Sequence, residues 1–157
     1  MQKESWKKSL MIEIKYANKE HLPDIFHIEQ ECFKIPWSNK DLEKDILENK
    51  MSIYIVALYD GKVVGYAGMW HVITEGHITN IAVLEEYRNK GIGTKFLYKF
   101  DEIAKEKEMI GLTLEVRVNN LNAQKLYLKH GYKVEGMRKN YYSDTKEDAL
   151  IMWKYFD

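Results

Sequence analysis

Arg88-Asn89-Lys90-Gly91-Ile92-Gly93 is the stretch that most constrains this chain, because it joins an apparent strand, Ile78 to Leu84, to an apparent helix beginning near Gly91. Two glycines one residue apart let backbone N–H groups approach a ligand without Cβ obstruction. Where a helix begins, those N–H groups and the positive end of the helix dipole suit a pyrophosphate. Arg88 and Lys90 add positive charge at the same point. The plain alternative is a turn, since glycines between a strand and a helix often only redirect the chain.

Two familiar phosphate loops do not match. The dinucleotide fingerprint G-x-G-x-x-G needs a small third residue, where this chain has Phe96. The Walker loop needs Gly-Lys-Ser/Thr, a tripeptide absent from the sequence. What remains is R-x-x-G-x-G after a hydrophobic strand. That pattern resembles the acetyl-CoA-binding loop of the GNAT family of N-acetyltransferases.

The 157 residues suit one domain with a real core. Lys+Arg and Asp+Glu both number 24, so the formal charge is zero, which argues against bulk nucleic-acid affinity and leaves only a local basic patch for RNA or a ribosome-bound substrate. Cys32 is the only cysteine, so no internal disulfide forms and a reducing cytoplasm fits. No apolar run approaches the ~18 residues of a spanning helix, and no secretory h-region opens the chain. These features predict a cytoplasmic protein without membrane attachment or direct nucleic-acid binding. Residues 1–10 are polar and lysine-rich and read as a flexible leader, with a short helix anchored by Trp6 and Leu10 as the alternative.

Periodicity supplies the rest of the order. Met11 to Tyr16 alternates as a strand, and Asn18 caps an expected helix from about Lys19 to Phe33 with Leu22, Ile25, Phe26, Ile28 and Phe33 on one face. Ile35-Pro36-Trp37 breaks it, and Ser38 caps a second helix through Asn49. Ser52 to Tyr59 and Lys62 to Trp70 form a hairpin across Asp60-Gly61, and His77 to Leu84 is the next strand. A helix carrying Ile92, Phe96, Phe100, Ile103 and Ala104 follows the glycine loop. Leu112 to Val118 alternates, a helix from Leu121 to His130 stops at Gly131, and Tyr132 to Glu135 and Ala149 to Phe156 are closing strands. The predicted class is α/β with a mixed sheet, in the order β-α-α-β-β-β-α-β-α-β-β.

That order is similar to the GNAT fold over about Met11 to Trp153. Asn120-x-x-Ala123-x-x-Leu126-Tyr127-x-x-x-Gly131-Tyr132 resembles the family's second cofactor motif. Three segments resemble the RimI-type subfamily, which acetylates the N-terminal alanine of small-subunit ribosomal protein eighteen. They are Cys32-Phe33-x-x-Pro36-Trp37-Ser38, Leu114-Glu115-Val116-Arg117, and Arg138-Lys139-Asn140-Tyr141-Tyr142 with Glu147-Asp148-Ala149. The resemblance implies acetyl-CoA as co-substrate. The backbone of Ile81, Ala82 and Val83 would meet the pantetheine arm. Asn89, Lys90, Gly91, Ile92, Gly93 and Thr94 would wrap the pyrophosphate, and Asn120 would bond the cofactor.

Acetyl transfer from a thioester to an amine needs a neutral amine and a stabilised thiolate. The α-amine reference pKa, ~7.7–8.0, asks only for a modest base. The resemblance makes Glu115 that base, helped by burial or a relaying water, although spacing alone favours a surface glutamate paired with Arg117. It makes Tyr127 the acid, a phenol able to donate to the leaving thiolate, with a packed helix tyrosine as the bland reading. His77 is a possible relay member or simply a satisfied polar residue. Five scattered histidines and one cysteine show no ligand spacing, so no metal is expected. Cys32 reads as core. The segment Phe33 to Ser38 and the pair Tyr141-Tyr142 are expected to flank the acceptor groove, where Trp37 and the tyrosines combine apolar bodies with polar tips, with loop packing as the alternative. The expected acceptor is a protein N-terminus. The competing functions are a small-amine acetyltransferase for polyamines or antibiotics, and a silent acetyl-CoA sensor.

Overall fold

Alternation on the sheet and helical spacing on its covers sort the apolar residues into two cores. In the computed structural model, which describes residues 11–157, seven strands form one sheet in the order β1-β2-β3-β4-β5-β7-β6. They are β1 Ile12–Tyr16, β2 Ser52–Tyr59, β3 Lys62–Val72, β4 Glu75–Val83, β5 Gly111–Arg117, β6 Lys133–Arg138 and β7 Ala149–Tyr155. The helices are α1 Leu22–Cys32, α2 Asn39–Leu47, α3 Ile92–Glu106 and α4 Leu121–Lys129. The expectation for residues 1–10 lies outside the described residues. No helix among the described residues is long and apolar enough to cross a membrane.

Successive side chains of a strand face opposite sides of the sheet. Ile55, Ala57 and Ala67 therefore meet Phe96, Leu97, Phe100 and Ile103 of α3, while Tyr54, Val56 and Tyr66 meet Ile25, Ile28 of α1 and Leu42 of α2. Both faces are covered, which is why the central strands are apolar almost continuously. Phe96 and Phe100 are fully buried, so truncating either to alanine removes about 3–5 kcal/mol. The hairpin turn has φ 50° at Asp60 and 81° at Gly61, the pair of positive angles that an Asp-Gly turn supplies.

Several boundaries differ from the sequence reading. The first expected helix begins as a 3-10 turn, Lys19–His21, capped by Asn18, and becomes α-helical at Leu22 with Pro23 in its first turn. It ends at Cys32, so Phe33 leaves the packed stripe and stands 37% exposed. β6 runs on to Arg138 because its pairing with β7 slips between Val134 and Gly136 and then resumes.

The feature that positions the site is a split in the sheet. The parallel pairing of β4 with β5 holds only for Glu75 with Gly111, Gly76 with Leu112 and His77 with Thr113. Beyond His77 the strands part. At the same place β4 slips against β3, where Gly68 pairs with Asn80 but Met69 pairs with Ile78, leaving Thr79 as a bulge.

Candidate active site

The split exposes strand backbone that a sheet would normally consume. Leu84 N–H bonds Val64 O at 2.9 Å, so by alternation Ala82 also faces β3, where it pairs with Tyr66. Ile81 and Val83 then direct their N–H and C=O groups into the gap. Ala82, expected to share this role, pairs with Tyr66 of β3 and packs its side chain beneath α1, and it lines the same cleft as Ile81 and Val83. The Val83 carbonyl accepts a hydrogen bond from Arg88 Nε at 2.9 Å, so Arg88 braces the loop against the strand end.

That loop enters α3 through Gly91, whose φ of 83° is left-handed and whose missing Cβ would touch nothing within 4 Å. Glycine is needed there for the angle. Asn89 is left-handed as well, with φ 63°. No side chain caps α3, whereas Ser38 and Asn120 cap α2 and α4. The first N–H groups of α3 thus remain open to an anion, with the helix dipole behind them. They border a cleft of about 760 Å³ whose walls include Ile81, Val83, Asn89, Gly91 to Thr94 and Asn120. Its size lies within the rough 300–1,000 Å³ span of ligand clefts. Lys90 is not part of this wall, and its ammonium stands 5.8 Å from the Tyr59 ring centre. The side-chain cations at the cleft come instead from Arg88 on the loop and from Lys125 and Lys129 on α4. Those two lysines were not anticipated, since helix lysines carry no local mark of what they face. Asn120 uses its Oδ1 to cap Ala123 N at 3.1 Å, leaving the amide Nδ2 as its donor.

At Gly93 the constraint is packing, because an added Cβ would sit 3.2 Å from Leu126 Cδ2 of α4. Gly93→Val is expected to crowd both the uncapped turn and Leu126 and to weaken acetyl-CoA binding roughly tenfold, about 1.4 kcal/mol. Calorimetric titration of the folded variant checks this, and an unchanged Kd would remove the cradle.

A second pocket of about 220 Å³ lies between the parted strands β4 and β5 and is lined by Asn80, Glu115 and Arg117, with Tyr142. Phe33, Ile81, Asn120, Ala123 and Tyr127 line both cavities. Tyr127 therefore stands where the two meet. Burial, with a smaller contribution from Tyr142, pushes its phenol up to about 12. The hydroxyl stays protonated at every working pH and is a permanent donor.

Glu115 is not paired with Arg117. Its Oε2 lies 2.7 Å from His77 Nε2, and Arg138 Nε donates to Oε1 at 3.3 Å. Burial raises the carboxyl, but the His77 and Arg138 bonds and charges outweigh it and hold the group below its ordinary value. The burial route to a stronger base is thus closed. A carboxylate only accepts, so His77 is the Nε2–H tautomer when neutral and carries its lone pair on Nδ1.

Arg117 turns outward to the β6–β7 loop. It makes paired bonds of 3.0 and 2.9 Å to Asp144, approaches Glu147 at 3.5 Å, and lies 3.9 Å over the Tyr142 ring. Tyr142 reaches the Glu115 pocket, and Tyr141 stacks edge-on against it at 5.1 Å. Trp37 does not join them. It lines a separate pocket with Asp41 and Asp45 of α2, and Phe33 is the member of its segment that lines the Glu115 pocket. Cys32 borders the large cleft, and burial raises its thiol against the pull of Arg88.

A sequence profile of the acetyltransferase (GNAT) family matches residues 22–132. The chain belongs to the GNAT family of acetyltransferases. Its relatives include a Bacillus subtilis protein provisionally named a ribosomal protein bS18-alanine N-acetyltransferase, 43% identical over 85% of this chain and 89% of the relative. The ribosomal protein bS18-alanine N-acetyltransferase of Escherichia coli K12 is 33% identical over 83% of this chain and 88% of its own length. The crystal structure of the ribosomal-protein-S18-alanine N-acetyltransferase from Escherichia coli superposes with a TM-score of 0.85 at 31% identity, covering 92% of this chain and 94% of that one. The GNAT fold expected from the sequence is the fold observed.

Proposed function

We propose that this GNAT enzyme moves acetyl from acetyl-CoA to the N-terminal α-amine of a protein in the cytoplasm, and that its acceptor is the N-terminal alanine of ribosomal protein bS18. The observation that carries this reading is the meeting of two cavities at Tyr127, one bordered by an uncapped helix N-terminus and the other containing Glu115. The names of the relatives support the acceptor. Bound acetyl-CoA supplies an activated acyl group and a thiolate leaving group.

The roles of the chain's own groups follow from their chemistry. Ile81 and Val83 offer strand-type donors and acceptors to an amide-bearing arm, and the α3 N-terminus with Lys125 and Lys129 offers positive charge to phosphates. The amine loses its proton through water to the His77–Glu115 pair, in which Glu115 balances the charge as His77 protonates. The Tyr127 hydroxyl donates to the departing sulfur, with no acyl-enzyme. Tyr142, held by Arg117, closes over the acceptor. Tyr142→Ala is expected to raise the peptide KM roughly tenfold, more than Tyr141→Ala, while acetyl-CoA affinity stays unchanged. Steady-state kinetics on both variants check the split.

The proposed function is tested by a panel: labelled acetyl-CoA with an Ala-initiated bS18 peptide, the same peptide with a blocked α-amine, spermidine and an aminoglycoside. Transfer to the free peptide alone supports it. Transfer to the small amines alone supports the small-amine reading, and tight acetyl-CoA binding without any transfer supports the sensor.

A further inference from the structure

Glu29 occupies the inner face of α1 beside Leu22, Ile25 and Ile28, where an apolar residue is expected, and it is only 2% exposed. Burying a carboxylate is costly unless hydrogen bonds replace its water. Among the described residues it makes no ion pair, and its partners are neutral donors. Trp37 N–H donates to Oε2 at 2.8 Å, and Tyr66 hydroxyl donates to Oε1. The Glu29 carbonyl also accepts Phe33 N–H at 3.2 Å. One residue therefore holds both ends of the irregular Phe33–Trp37 loop, the first end by its main chain and the second by its side chain.

The chain of bonds continues to the reaction pocket with a fixed polarity. A carboxylate cannot donate, so Tyr66 must donate to it. Burial and the adjacent Glu29 charge keep the Tyr66 phenol well above its usual range and proton-bearing. Its lone pair is left to accept from Asn80 Nδ2 at 3.3 Å. Asn80 follows the Thr79 bulge and lines the pocket that contains Glu115. The loop that carries Phe33 is thus wired through Glu29 and Tyr66 to the strand beside the proposed acceptor.

We propose that Glu29 is the positioning residue of the acceptor site, fixing the Phe33–Trp37 loop against β4 so that an incoming peptide meets a preformed wall. This rests on the N-terminal acetyltransferase reading. A loop ordered in advance spares the peptide the entropy of ordering it, and Phe33, which lines both cavities, keeps its main-chain bond to residue 29 in every variant, so loss of the Trp37 anchor falls mainly on peptide binding rather than on acetyl-CoA.

The test uses Glu29→Leu and the pair Glu29→Leu/Tyr66→Phe. The single variant strands the Tyr66 hydroxyl without an acceptor and lowers Tm. The double variant removes the stranded hydroxyl, at the loss of the long Asn80 Nδ2 bond to it, so Tm recovers in part relative to the single one. The Trp37 anchor remains absent in both. The double variant is therefore expected to show a peptide KM raised roughly tenfold, acetyl-CoA Kd within roughly twofold of wild type, and Trp37 amide exchange faster by roughly tenfold. Glu29→Gln keeps the size but offers one accepting oxygen to two donors, and its peptide KM and exchange should fall between wild type and the double variant. Wild-type peptide KM and Trp37 protection in the double variant, or in Glu29→Gln should the double variant not fold, overturn the proposal. If wild-type protein acetylates no Ala-initiated peptide, the function reading fails by itself, and Trp37 exchange still decides whether Glu29 anchors the loop.

Discussion

Tyr127→Phe is expected to lower kcat roughly 10²–10⁴-fold, the usual range for a positioned proton donor. The substitution removes one hydroxyl from the junction of the two cavities and leaves the ring packed against Tyr132, 5.8 Å away between centres. Stability and acetyl-CoA affinity should change little. Because the phenol is pushed up to about 12, wild-type activity should show no loss from Tyr127 ionisation anywhere between pH ~6 and ~9. A kcat within a few-fold of wild type would assign Tyr127 to packing alone.

Glu115→Gln is expected to lower the rate at neutral pH by roughly 10²-fold, with partial recovery above pH ~8 as the amine deprotonates unaided. It also has a stability signature of fixed sign. The folded Glu115 carboxyl titrates below its ordinary value, held there by His77 and Arg138 against its burial. Its contribution is present above the unfolded pKa of ~4.3 and disappears as pH falls through the folded value. Thermal melts should therefore show the variant less stable than wild type at pH 7 and converging with it in acid. A variant as stable and active as wild type at neutral pH would remove Glu115 from the mechanism. The opposite slope, with the gap widening in acid, would contradict the pairing with His77 and Arg138.

What could be read from the sequence is what local periodicity and turn chemistry encode. The element order, the Asp60-Gly61 turn and the glycine loop depend on neighbours a few residues apart, as does the left-handed Gly131 at φ 93°. What was hidden depends on partners distant in sequence. Spacing alone suggests Glu115, two residues away on the same strand face, as the partner of Arg117, whereas Arg117 bonds Asp144, 27 residues on. The partners of Glu115 lie 38 residues before it and 23 after it. Phe33 carried two expectations, the packed helix stripe and the flank of the acceptor groove, and because the helix stops at Cys32 it lines the cavities. Glu29 reads as an ordinary helix glutamate, and only Tyr66, 37 residues later, reveals why it is buried. The split of β4 from β5, which creates the site, has no single-residue signature.

The central claim is that donor and acceptor cavities meet at Tyr127 so that acetyl passes directly to a protein's α-amine. Mass spectrometry of intact ribosomal protein bS18, purified unacetylated and incubated with this protein and acetyl-CoA, tests it most directly. The expected result is a single added acetyl group, located by fragmentation on the N-terminal alanine and absent with Tyr127→Phe on the same time scale. No added acetyl, or acetyl found only on lysine side chains, would contradict it.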